Sequence, residues 1–79
     1  MPSDSLPTLI AKLEAATTTD MELNFKVAVL LLPGDIEFDD GKVWFGRFDE
    51  PPRLAPDFTG DAIWRVEALK HLRARLANA

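Results

Sequence analysis

Asp40-Gly41 stands between two short runs of β-prone residues, and that placement constrains the fold more than any other feature of the chain. Glycine reaches the positive φ of a tight two-residue turn without strain, so the dipeptide predicts a hairpin turning at Asp39-Asp40-Gly41. The flanking runs are Asp35-Ile36-Glu37-Phe38 and Lys42-Val43-Trp44-Phe45-Gly46-Arg47-Phe48. Ile36 and Phe38 then share one face of the first strand, and Trp44, Gly46 and Phe48 share one face of the second. Pro51-Pro52 ends the sheet and opens an extended linker over residues 51–58.

Helical patterns lie on both sides of this hairpin. Leu6, Leu9, Ile10 and Leu13 recur at three- and four-residue spacing, with Ser5 to cap the start and Pro7 in the first turn. The threonines at 17–19 stop this helix, predicted over residues 6–16. The stretch that follows carries two signals. Thr19-Asp20-Met21-Glu22 fits a capping box and predicts a helix with Leu23, Val27, Leu30 and Leu31 toward the core. Met21, Leu23, Phe25, Val27 and Val29 also alternate as a half-buried strand would. We take helix over residues 20–31, ended by Pro33-Gly34. A last helix over residues 61–76, capped by Thr59 or Asp61, carries an apolar stripe of Ala62, Val66, Leu69, Leu72 and Leu76. The expected product is one small α+β domain over residues 1–79, a small antiparallel sheet packed on two or three helices.

Seventy-nine residues allow a single core, and 47% apolar residues are enough to build one. Cysteine is absent, which excludes disulfides and thiolate metal sites and suits a reducing compartment. The first residues have no basic n-region, and Val27 to Leu32 is too short to span a bilayer. These features predict a soluble, cytoplasmic protein with no membrane partner. The net charge of −4 is unevenly spread. Eight acids against three bases fall between residues 35 and 61, whereas residues 62–79 are net positive through Arg65, Lys70, Arg73 and Arg75. An acidic middle repels a phosphate backbone and attracts a basic groove. The basic end also complements a helix macrodipole.

Catalytic sets are missing from the sequence. Serine occurs only at positions 3 and 5, His71 is the sole histidine, and tyrosine is absent. A serine or cysteine triad cannot be assembled, and the four scattered glycines form no phosphate loop. One imidazole with no thiolate argues against zinc. Asp35, Glu37, Asp39 and Asp40 lack the spacing of a calcium loop. Paired carboxylates for sugar hydrolysis would need a cleft this chain is too small to build. We therefore expect no enzyme, no cofactor and no metal. His71 reads as a surface residue, Trp44 as a core residue before an anchor, and Trp64 as packed on the linker prolines or as an exposed anchor.

The segment Leu9-Ile10-Ala11-Lys12-Leu13-Glu14-Ala15-Ala16-Thr17, followed by Asp20-Met21-Glu22-Leu23-Asn24, resembles the opening of the phage ABA-sandwich family. Pro56-Asp57-Phe58-Thr59 and Asp61-Ala62 are similar to a later segment of that family, in shortened form. The likeness covers about thirty residues. The family's glycine-proline pair is replaced by Thr18-Thr19, and the family has no catalytic residues to carry over. The resemblance implies a phage or prophage origin. In size, charge and lack of cysteine the chain is also similar to anti-CRISPR proteins. The implied function is inhibition of a host nucleic-acid-processing complex, most specifically a type I Cascade effector, by a DNA-mimicking acidic surface. Asp35, Glu37, Asp39, Asp40, Asp49 and Glu50 are the expected partner-binding residues, with Trp64 or Trp44 as an apolar anchor. The expected partner is a host CRISPR–Cas subunit rather than nucleic acid, bound by a monomer or weak homodimer. The alternatives are a phage assembly accessory protein and a weak nucleic-acid-binding module using the basic last helix.

Overall fold

The structure is a computed structural model and describes residues 5–78. Three helices, α1 (Leu6–Ala15), α2 (Met21–Leu31) and α3 (Ala62–Ala77), accompany three strands, β1 (Asp35–Asp39), β2 (Lys42–Gly46) and β3 (Arg53–Leu54). The strands form one antiparallel sheet in the order β1-β2-β3. This is the α+β class the sequence predicts.

The local signals act largely where they fall. Ser5 caps α1 through its side chain, with Pro7 in the first turn. Asp40 and Gly41 hold φ of 53° and 70°, the two positive values that close a two-residue hairpin loop between Asp39 and Lys42. Residues 21–31 are helix. Leu23, Asn24, Val27 and Ala28 are buried, a spacing of one and four that only a helix brings to one face. The competing strand would have put Val29 with Leu23 and Val27, yet Val29 is 50% exposed.

Three expectations need correction. The cap of α2 is Asp20, whose carboxylate accepts from the Leu23 N–H at 3.1 Å, so the start lies one residue later than the capping box places it. The Thr19 hydroxyl is drawn away to donate to Asp57 at 2.6 Å. Pro51-Pro52 does not end the sheet: Arg53 and Leu54 pair with Phe45 and Trp44, and the Ala55 N–H donates to the Val43 carbonyl at 2.9 Å. Finally, α3 is rotated relative to the expected stripe. Ala68, Leu69 and Leu72 are buried, whereas Ala62, Val66 and Leu76 are exposed. Leu69 and Leu72 of the expected stripe are in the core, and Ala68 joins them in place of Ala62, Val66 and Leu76.

One buried cluster joins the layers: Leu9, Ile10 and Leu13 from α1, Leu23, Val27 and Ala28 from α2, Val43 from β2, Phe58, and the buried residues of α3. The sheet packs on α2 through Ile36, Phe38 and Val43, with the rings of Phe38 and Phe25 edge to face at 6.0 Å. Helices α1 and α3 pack on each other and on α2, and not on the sheet.

A polar junction links the starts of α2 and α3. Asn24, 1% exposed, donates to the Pro56 carbonyl at 3.0 Å and accepts from the Phe58 N–H at 2.8 Å. Thr59, fully buried, accepts from the Asp20 N–H at 2.8 Å, and its carbonyl accepts from Arg65 at 2.6 Å. Asp57 gathers donors from Thr19, Gly60 and both the hydroxyl and N–H of Thr59. Burial raises the Asp57 pKa, but these four donors outweigh it and hold the carboxyl below its ordinary value. A carboxylate depressed in the folded state contributes stability above its unfolded pKa, near about 4, and loses it as pH falls through the folded value. Urea midpoints at neutral pH and at about pH 3 are therefore expected to differ less in Asp57→Asn than in wild type. An equal drop in both proteins would remove Asp57 as the cause.

Candidate protein-binding surface

The two faces of the sheet are chemically distinct because side chains alternate along each strand. One face meets α2. The other carries Asp35, Glu37 and Asp39 from β1, Lys42, Trp44 and Gly46 from β2, and Leu54 from β3, without any helix over it. Cross-strand register sets Trp44 between Glu37 and Leu54, and Asp39 opposite Lys42. Trp44 is thus on the outer face and half-buried, not in the core as expected, and Leu54 is 57% exposed.

A shallow groove on this face is lined by Asp35, Glu37, Trp44, Phe48 and Glu50, with Arg47 as its one base. The Glu50 N–H donates to the Arg47 carbonyl at 3.1 Å, closing the turn that brings Glu50 back beside the sheet. That turn also leaves the Phe48 side chain fully exposed, an aromatic ring with no packing of its own. Of the six expected carboxylates, Asp35, Glu37 and Glu50 line the groove, Asp39 and Asp40 sit at the hairpin end, and Asp49 lies in the turn beyond β2. All six are exposed, and none forms an ion pair or side-chain hydrogen bond with another described residue. Carboxylates without direct partners, in excess over Lys42 and Arg47, project a net negative field into solvent.

Trp64 lies elsewhere. It is on α3, a helix with no contact to the sheet, and its ring meets Phe58 edge to face at 6.0 Å while remaining 45% exposed. The structure does not bring it together with the six carboxylates. Leu54 is the apolar neighbour that sequence reasoning missed, because the proline pair conceals β3; Phe48 shares the groove with Trp44 as the sequence predicts, although β2 ends at Gly46.

The basic helix is partly committed to the fold. Arg65 binds the Thr59 carbonyl, and Arg73 pairs with Glu14 of α1 at 2.6 Å. His71 lies 3.9 Å from Glu67 on the same exposed face, a pair that counts only when the imidazole is protonated. Among the described residues no group of three or more histidines and carboxylates is arranged to hold a metal ion, and no helix is long and apolar enough to cross a membrane. No family model, curated protein or solved structure matches the chain.

Proposed function

We propose that this protein is a phage- or prophage-encoded inhibitor that binds a basic surface of a host nucleic-acid-processing complex and denies that surface to nucleic acid. The observation that carries this reading is the outer sheet face, where unpaired carboxylates line a groove with Trp44 and Phe48, and Leu54 pairs across from Trp44. A complex that reads DNA must present lysines and arginines along its path. Carboxylates on the hairpin attract such a groove and release its counterions as DNA does. Charge at a rim mostly raises the association rate, whereas an apolar anchor slows dissociation. Trp44 takes the anchoring role in preference to Trp64, because it lies among the acids. The most specific form of the proposal is an anti-CRISPR acting on a type I Cascade effector.

The test is phage plaquing on a CRISPR-immune host expressing the protein. Plaquing is expected to be restored by wild type and lost with Asp35→Asn, Glu37→Gln, Asp39→Asn, Asp40→Asn, Asp49→Asn and Glu50→Gln combined. Asparagine tolerates the positive φ at position 40, so the combined variant keeps its turn. Immunity undiminished across type I hosts would reject the specific target. Restored plaquing that survives loss of the charges would reject the acidic surface.

A further inference from the structure

We infer that the free edge of β1 takes up an extended segment of the partner as a fourth strand, and that this segment alternates basic with apolar side chains. The inference rests on the reading of a basic protein partner and narrows that partner to one strand-shaped element.

The backbone carries the first half of the argument. Strand β1 lies at the edge of the sheet. The Val43 carbonyl accepts from Ala55, so the peptide groups of Val43 face β3 and turn away from β1. In an antiparallel ladder the hydrogen-bonded and non-hydrogen-bonded pairs alternate. The pairs Val43↔Phe38 and Phe45↔Ile36 are therefore the non-bonded ones between β1 and β2. The N–H and C=O groups of Ile36 and Phe38 point outward, and no turn or side chain of the described residues takes them up. Four polar groups in a row form a template for strand addition.

The side chains decide what can use that template. A strand laid beside β1 sets its own side chains directly opposite those of β1 on each face. On the outer face it meets Asp35, Glu37 and Asp39, which call for lysine or arginine. On the inner face it meets Ile36 and Phe38, and Phe38 is still 46% exposed despite its contact with Phe25. Aliphatic or β-branched residues fit there.

A second copy of this chain is excluded by the same register. Two-fold pairing through the outward groups of Ile36 and Phe38 centres on Glu37. It sets Glu37 against Glu37 and Asp35 against Asp39 at both ends, so every outer-face pair is carboxylate on carboxylate. Like charges directly opposite destabilise a ladder. The edge thus repels itself and selects a strand of opposite charge.

The test uses the full chain and three synthetic peptides of about nine residues, long enough to span β1. One alternates lysine and valine, one has the same composition in two blocks, and one alternates glutamate and valine. Affinity is read by titration, and amide exchange of Ile36 and Phe38 by NMR. The alternating lysine peptide is expected to bind about tenfold tighter than the block peptide and to slow exchange of both amides, while the glutamate peptide does neither. Phe38→Pro removes one outward N–H without touching the ladder to β2, and is expected to lose binding and exchange protection entirely, whereas Phe38→Ala removes only the side-chain contact and is expected to weaken binding while still slowing exchange of the amide at position 38. If Phe38→Pro fails to fold, the exchange measurement on wild type decides alone. Equal binding of both lysine peptides without slowed exchange overturns the fourth strand and leaves the basic partner standing. No binding of either lysine peptide overturns both.

Discussion

Replacing Asn24 with leucine is expected to lower the unfolding free energy by about 3 kcal/mol, a large share of what a domain this small can hold. The side chains are close in volume, so little cavity opens and the loss is mostly in hydrogen bonding. Two backbone groups are stranded: the buried Phe58 N–H, which donates to Asn24 at 2.8 Å, and the Pro56 carbonyl, which accepts from it at 3.0 Å. Each unsatisfied buried group costs about 1–3 kcal/mol. The measurement is the urea midpoint against wild type, with near-equal slopes to confirm that the folded state is unchanged. A loss below about 1 kcal/mol would mean that water reaches both groups and that the junction is not sealed.

Gly34→Ala is expected to match that effect from a different cause. Gly34 has φ of +83°, and a Cβ built there meets the carbonyl group of Gly46 rather than a side chain that can turn aside. Left-handed backbone costs a non-glycine residue about 1–2 kcal/mol, and the clash adds a backbone shift. Gly41→Ala supplies the control, since its φ is +70° with nothing within 4 Å of the added carbon. The control is expected to lose about 1–2 kcal/mol and Gly34→Ala about 3 kcal/mol or more. Equal losses would show that only the dihedral matters and that the β1 entry does not need its close approach to β2.

The parts of the fold legible in the sequence are those set by neighbours in the chain. Asp40-Gly41 dictates its turn through glycine's access to positive φ, and Ser5 and Asp61 cap their helices through side chains two or three residues from the groups they satisfy. What was not legible depends on residues far apart. Which face of α3 is buried depends on the other helices, so the stripe held at Leu69 and Leu72 while Ala68 took the place of Val66 and Leu76. The polar junction spans 32 to 39 residues between partners, so nothing local marks Asn24 as buried, and Thr59, offered as a helix cap, instead accepts from the Asp20 N–H. The candidate site divides the same way. The acids of the hairpin are visible as a cluster, and two of them, Asp35 and Glu37, share a groove with Glu50. Of the two tryptophans offered as its apolar anchor, Trp44 is the one on the sheet, and the β2–β3 pairing that sets it beside Leu54 is hidden behind two prolines.

The packing of α2 has a consequence for how the molecule responds to a ligand. It is the one element in contact with both the strands and the other two helices. The sheet therefore has a single tertiary tether, and the regions of a protein with fewest ties are the ones that open first. A ligand that binds only the folded form shifts that local equilibrium by mass action. A partner strand on β1 would thus act as an external brace, adding most order where the isolated chain has least, and part of its binding free energy would be absorbed in quieting the hairpin.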